Sequence, residues 1–484
     1  NTMSPKCMLV NNTASGKGGG LFAGTGNDGL VITNSYLDSN TASFGGGGYL
    51  NNFNVNASIL NSQIRNNLAS SDGGGVSLIY ANNGALFFNC SLLDNHGARY
   101  GGGVHFNMAA SDTLVSGSTF ENNLAGSGGA IYFSTENTVI ISNSSFANNK
   151  VLGNGGALCL DQSNNVTLNS CVFQTNEALQ SGGAVASTYV NIVTINWSSF
   201  YSNWAGSIGG AIVTQSGITS DIVFKGACMF SSNVAKFGGG ALAIVGSILW
   251  SMSDGFLVIQ NNTAPVGSGL FFKDFVSDSS RSLNSITFAN NVAVVGGTIY
   301  WLYEFGGMVE EPAGIYSDSI SWENNSAPYG IIVATQAVQL VGPEEYTVTV
   351  YGQSLSPSID FHMLDSYDNF IPLNGITAVQ VSVVLDGVEC NDEVPSIAGN
   401  DLYGVGVPFS NGVASFASVQ AACTPGGNMT LQFEAHLGNM LGVGSAIASS
   451  YYLINYTKIH FRECVAGEMY SLRECSPCVT GSFS

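Results

Sequence analysis

The side chains of this 484-residue chain that could carry acid–base, nucleophilic or metal chemistry are 32 Asp and Glu, 12 Lys and Arg, five His and ten Cys. Cleaving a glycosidic bond would need two carboxylates on one strand face as acid and base, often with a cation beside them. Over residues 1–334 the cations are Lys6, Lys17, Arg65, Arg99, Lys150, Lys225, Lys236, Lys273 and Arg281, and none recurs in one register beside paired carboxylates. Asp38, Asp94 and Asp161 stand alone. Asp38 and Asp94 lie just before a repeated asparagine, where a short acid serves a turn. His96, His105, His362, His436 and His460 are scattered along the chain. No catalytic triad, phosphate loop or metal cluster can be assembled. The expectation is therefore no enzyme, no cofactor and no metal. At Glu310-Glu311, Glu344-Glu345, Asp365 and Asp368 the expectation is a solvated loop, with calcium as the alternative.

Asparagine and cysteine carry the remaining chemistry. Asn-x-Ser/Thr sequons at Asn11, Asn56, Asn89, Asn143, Asn165, Asn196, Asn261, Asn324, Asn428 and Asn455 are N-glycosylation candidates. A chain this rich in Asn, Ser and Thr would carry several by chance. Cys390 and Cys423 are expected to pair, and the closely spaced Cys464, Cys475 and Cys478 add a further disulfide-rich stretch. Together these point to an extracellular or cell-surface chain.

Only 9% of residues are charged, and the net charge is −20. That balance argues against nucleic acid or an anionic membrane surface as partner. No apolar run reaches the roughly 18 residues of a membrane helix. The chain begins at Asn1 without a leader, which reads as a processed or incomplete piece of a longer secreted protein.

These side chains are positioned by a repeat. Asn12, Asn40, Asn67, Asn95, Asn123, Asn149, Asn176, Asn203, Asn233, Asn262, Asn291 and Asn325 recur at gaps of 26 to 34 residues. An aromatic three residues earlier marks the clean copies, as in Phe120, Phe146, Phe173, Phe200, Phe230 and Phe288. Two residues before that aromatic stands a small side chain, such as Ser118 or Ser144, or Cys7, Cys90, Cys171 or Cys228. Residues two apart share a strand face, so small residue and aromatic both point inward, and these four cysteines are expected as free, buried thiols. A Gly-Gly-Ala phrase follows five of these asparagines, at Gly128, Gly155, Gly182, Gly209 and Gly239. Its glycines suit a corner that a β-carbon would forbid. The period predicts a solenoid whose turns stack on one another. The spacing suits a three-sided right-handed parallel β-helix of about twelve coils, with the asparagines as an internal ladder.

Alternating Gly-Gly-Ala-aliphatic and Phe-x-x-Asn phrases resemble the polymorphic outer-membrane protein repeats of chlamydiae. That resemblance covers residues 1–334 and implies a β-helix of the pectin-lyase-like superfamily. Similar repeats occur in large surface proteins of protists and algae. Asp365-Ser-Tyr-Asp-Asn-Phe370 and Gly412-Val-Ala-Ser-Phe416 resemble immunoglobulin-like domains of the invasin or filamin type, placing an Ig-like β-sandwich at 335–458. Residues 459–484 resemble an incomplete ephrin-receptor-like Cys-rich repeat. That resemblance implies a Cys464–Cys475 bond and a partner for Cys478 beyond residue 484.

One surface inference follows. The residue after each inward aliphatic of the Gly-Gly-Ala strand is expected to face outward: Phe22, Leu50, Ser77, His105, Tyr132, Cys159, Ala186, Val213, Ala243, Phe271 and Tyr300. From Tyr132 through Val213 and Phe271 to Tyr300 this row is apolar, and it is read as an assembly stripe. The leading expectation is a non-enzymatic structural or adhesive protein, a rigid block of a surface fibre, flagellar hair (mastigoneme), sheath or coat. Its partners would be other copies or other extracellular structural proteins, with N-linked glycans and without direct membrane insertion. The alternatives are a monomeric carbohydrate-binding adhesion module and a polysaccharide lyase or hydrolase.

Overall fold

The computed structural model of the chain describes residues 2–3, 7–80, 82–108, 111–135, 137–162, 164–189, 191–273, 285–302, 319–348, 358–372, 380–389, 396–398, 407–417, 419–436, 452–471 and 474–478. It divides into two compact units, one of Asn1–Tyr303 with Gly307–Ala334 and one of Glu304–Gly306 with Thr335–Ser484.

The first unit is a parallel β-solenoid. One turn shows the plan: strands Ile131–Thr135, Thr138–Ser142, Ser145–Ala147 and Lys150–Val151 follow one another around the axis. Each pairs in parallel with its equivalent on the next turn, Ile131 with Leu158, Val139 with Val166, Phe146 with Phe173 and Val151 with Ala178. A turn thus holds four strand segments, which form four columns along the axis. The fourth column contains ten strands and ends in single bridges at Thr13 and Ser326, so about ten turns are complete.

Local chemistry explains each bend. The residue before every ladder asparagine adopts a left-handed backbone, from Asn11 and Ser39 through Asp94 and Asn122 to Asn324. Asn and Asp, which tolerate that region best among residues with a β-carbon, fill eight of these twelve positions, and Ser39, Thr175, Ser202 and Ser232 fill the others. The first glycine of each Gly-Gly pair is left-handed as well, Gly128 at φ 61° and Gly155 at φ 67°. Inside, Phe120, Phe146, Phe173, Phe200 and Phe230 form one stack, with centroids 4.9, 4.7, 4.7 and 4.6 Å apart. Each ring is fully buried, which stabilises the turn by about 1.5–3 kcal/mol.

The asparagine ladder runs unbroken from Asn12 to Asn325. Asn123 donates both its backbone N–H and its Nδ2 to Asn149 Oδ1, at 3.0 Å each, and Asn149 does the same to Asn176. A second ladder, with no aromatic at a fixed spacing, links Asn27, Asn54 and Asn82, and again Asn137, Asn164 and Asn191. The small-residue row is hydrogen-bonded too. The Cys90 and Ser118 amides donate to Ser118 Oγ and Ser144 Oγ, and the Cys90 thiol donates to the Ile59 carbonyl. Cys7, Cys90, Cys171 and Cys228 form no disulfide.

In the second unit a three-stranded antiparallel sheet and a five-stranded sheet meet through Phe361, Phe416 and Phe433, with Phe361 and Phe433 4.2 Å apart. Strand Tyr452–Phe461 pairs in parallel with Glu345–Val348. The expected boundary at 458 therefore falls inside this strand. Cys464 is bonded to Cys475 within a C-terminal stretch that includes the hairpin Glu468–Ser471 with Glu474–Pro477.

Candidate functional site

The row read as an outward assembly stripe is buried. Tyr132 is 6% exposed, Val213 1%, and Phe271 and Tyr300 0%. The reason is steric self-coverage by the Gly-Gly corner, which folds back over the first column. A β-carbon at Gly128 would stand 3.0 Å from Tyr132 Cα, and one at Gly182 2.9 Å from Val213 Cγ1. Phe237 packs edge-on against Phe271 at 5.5 Å. Parity gave the right face of the strand, but that face forms a second core. One member is also reassigned: Phe22 and Ser77 pair with Tyr49, not with Leu50, which points inward.

Where the corner leaves the first column open, a cleft of about 740 Å³ crosses successive turns. Tyr100 and Tyr132 stack along one wall, with centroids 4.3 Å apart. Arg99 lies over Tyr100 and is paired with Asp72 at 2.9 Å. Beyond them runs a polar row two residues further along each strand: Asn107, Ser134, Asp161, Thr188 and Gln215. Ser134 Oγ donates to Asn107 Oδ1 at 3.3 Å, and Thr188 pairs with Gln215 in register. Asp161 accepts from the Tyr132 hydroxyl at 3.1 Å and from Thr188 Oγ1 at 3.4 Å. Tyr189, 58% exposed, stands beside it in the cleft lining. Reading each strand two residues past the buried row would have found these side chains, because i and i+2 share a face.

Burial keeps the Tyr132, Cys159 and His105 side chains of this face neutral. Burial, with Cys159 and Asp161 nearby, pushes the Tyr132 hydroxyl up, so it stays a donor. The Cys159 thiol, fully buried, is pushed up to about 12. His105, within 5.7 Å of the Tyr132 ring, is pushed down to about 4 by burial, which outweighs the attraction of Asp72. An unfolded histidine titrates near 6.5, so between these values the unfolded chain binds the extra proton. Stability is therefore expected to fall as pH drops from about 6.5 toward 4. Denaturant titrations at pH 7 and pH 5 should show this, with His105→Gln losing part of the difference.

Among the described residues that line the cleft, Asp161 is the one carboxylate and none is Lys or Arg, the nearest described cation being Arg99 over Tyr100. An acid–base pair for glycosidic cleavage is not assembled at this place. Asp38 is bound by Arg65 at 2.9 Å and by Asn66, which holds its carboxyl below the ordinary range despite burial. Asp365 is consumed by the amides of Thr335, Tyr367 and Asn369, and Asp368 sits in the left-handed region of that turn. Glu344 and Glu345 are exposed, and Glu310 and Glu311 lie outside the described residues. Among the described residues the one set of potential metal ligands that converges is Cys464, Glu468 and Cys475, whose sulfurs are bonded to each other.

Cys423 is disulfide-bonded, Cys390 lies outside the described residues, and Cys478 is free. The sequons follow the architecture. Asn11, Asn261 and Asn324 are left-handed turn residues, each followed by a ladder asparagine and then by Thr13, Thr263 or Ser326 at the start of the fourth column. Asn89 and Asn143 occupy another left-handed corner, before an inward Cys90 or Ser144 and an outward serine. Half of the sequons thus arise from turn geometry alone. Asn11, Asn56, Asn89, Asn143, Asn165, Asn261 and Asn324 are exposed. Asn196, Asn428 and Asn455 are half-buried, and the last two donate to Glu389 and to the Leu340 carbonyl. Glycopeptide mapping of chain secreted from a eukaryotic host is expected to find occupancy among the seven and little at Asn428 or Asn455.

Residues 117–134 and 143–161 match the Chlamydia polymorphic membrane protein (Chlamydia_PMP) repeat. The match spans the two turns that carry Phe120, Phe146 and their Gly-Gly corners. No curated protein and no solved structure matches the chain.

Proposed function

We propose that this chain is a non-enzymatic, adhesin-like surface protein. A stiff β-solenoid holds a lateral binding face, and an immunoglobulin-like unit and the start of a cysteine-rich module follow it. The observation that carries this reading is the asparagine ladder, which ties twelve successive repeats into one rigid element. Similarity to a repeat of chlamydial membrane proteins supports a surface location. No helix of the described residues is long and apolar enough to cross a membrane.

Incorporation into a fibre, hair or sheath is the second reading. With the Tyr132–Tyr300 row buried, its support moves to exposed Leu152 and Leu179 on successive turns, 64% and 44% accessible. Light scattering and electron microscopy of the purified chain, run beside a cell-binding assay, separate the two. A monomer that binds cells is the expected result. Filaments abolished by Leu152→Ser with Leu179→Ser would transfer the function to assembly, and a monomer that binds nothing would remove the adhesive reading.

A further inference from the structure

The corner between the second and third strand columns carries a residue that the fold does not require. Asn34, Asn61, Asn89, Gly117, Asn143, Ser170, Trp197 and Gly226 occupy it on successive turns, all with a left-handed backbone. Asn, Ser and Gly hold that conformation at little cost, whereas a tryptophan there is strained. Trp197 stands there at φ 50° and is 60% exposed. One face of its indole is seated on Gly226 of the next turn, where any β-carbon would collide with the ring. The exposure lies on the other face. Such a face is an apolar platform with a polar rim, a match for the C–H face of a sugar ring.

The same corner supplies the occupant. Asn143 opens the sequon Asn143-Ser144-Ser145 and is exposed, two turns before Trp197. Neighbouring turns are about 4.8 Å apart and the indole leans one turn further, so it stands roughly 10–14 Å from Asn143 along the axis. Two or three sugars linked to Asn143 cover that span. Ser170, between the two, is small and exposed, and leaves the path along the corner open. Lys225, exposed on the turn after Trp197, adds an ammonium donor for sugar hydroxyls. Asn89, exposed on the same corner, is the contrast: two turns beyond it stands Asn143, not a ring.

We infer that an N-glycan carried by Asn143 lies along this corner and stacks one of its first sugar rings on the open face of Trp197. The inference rests on the surface location proposed above and goes beyond the adhesive reading. Attachment by the host's transferase joins Asn143 Nδ2 to the anomeric carbon of the first sugar, displaces the donor's diphosphate and releases one amide proton. The contact with Trp197 is non-covalent.

The full chain, secreted from a eukaryotic host, is tested first by hydroxyl-radical footprinting read residue by residue. Ser145→Ala removes the sequon and keeps Asn143. Oxidation of Trp197 should then rise about threefold or more, with half-buried Trp204 as the internal reference. In the second measurement peptide N-glycosidase acts on the folded chain. Trp197→Ser places at this corner the residue that Ser170 already holds there. It should speed release at Asn143 about threefold and leave release at Asn89 unchanged. Thermal unfolding verifies that each variant is folded. An unoccupied Asn143, Trp197 oxidation indifferent to Ser145→Ala, or release at Asn143 indifferent to Trp197→Ser overturns the inference. So does a rise in Trp197 oxidation seen only with Asn196→Gln, which transfers the contact to the neighbouring sequon. A parallel cell-binding assay separates the two levels. Cell binding that survives both substitutions leaves adhesion standing whatever the footprint shows, and a parent chain that binds no cells removes adhesion without touching the glycan contact.

Discussion

Gly128→Val is expected to abolish folding of the solenoid around its turn and to stop secretion of the chain. Gly128 holds φ at 61°, where a β-branched residue is an outlier. A β-carbon there would also lie 2.5 Å from the Ile131 carbonyl oxygen and 3.0 Å from Tyr132 Cα. Both partners are backbone within paired strands, so neither can rotate away. Strain of about 1–3 kcal/mol from the dihedral adds to a clash that must open the corner and uncover Tyr132. Gly117 supplies the contrast. Its φ is 58°, yet its nearest neighbour to a β-carbon is 4.0 Å away, and equivalent turns place Asn89 or Asn143 there. Gly117→Asn should therefore change stability by less than about 1 kcal/mol. Secretion yield and thermal unfolding of the two variants check the pair, and equal behaviour would show that the corner is not what covers the first column.

Asn149→Leu should be nearly as damaging for a different reason. The substitution removes the acceptor for Asn123 N–H and Nδ2, and the donor to the Phe120 carbonyl, all at 3.0 Å. Each buried group left unsatisfied costs about 1–3 kcal/mol, so the total is roughly 4 kcal/mol. Leucine has the right volume and apolarity for a core, which isolates hydrogen bonding as the cause. Because turns contact only their neighbours, the loss should be local. Hydrogen exchange is expected to rise around residues 120–176 and stay low near Asn262, and limited proteolysis should cut the variant within that stretch. A uniform rise along the whole solenoid would show instead that it unfolds as one unit.

The fold was legible because two side chains announce every turn. Phe120 and Asn123 are tied to fixed positions by the ring stack and the amide ladder, so their spacing survives insertions elsewhere in the turn. The second ladder is equally periodic at Asn137, Asn164 and Asn191, but no aromatic stands at a fixed spacing from those asparagines to mark the corner they close. Tyr132 shows a different limit. Alternation along a strand tells which side a residue faces; it does not tell what lies on that side. Only the fold-back at Gly128 decides that the outer face is covered, and only the gap beyond it leaves Asp161 and Tyr189 accessible. Asp161 could be identified from sequence as a lone acid. Its partnership with Tyr132 and Thr188 depends on three separate turns coming into register.

The first asparagine ladder also has a direction. From asparagine to asparagine, every Nδ2 donates to the Oδ1 of the following turn, from Asn12 to Asn40 and on to Asn325, while its second hydrogen, where bonded, goes back to a carbonyl of the preceding turn, as from Asn149 to Phe120. Donor and acceptor ends of the column are therefore different surfaces, and a turn inserted backwards could not join it. A turn removed whole, from one ladder asparagine to the next, leaves a matching donor and acceptor behind. The length of such a protein can change over generations by duplication or loss of single turns, while its cross-section and its reading direction stay the same.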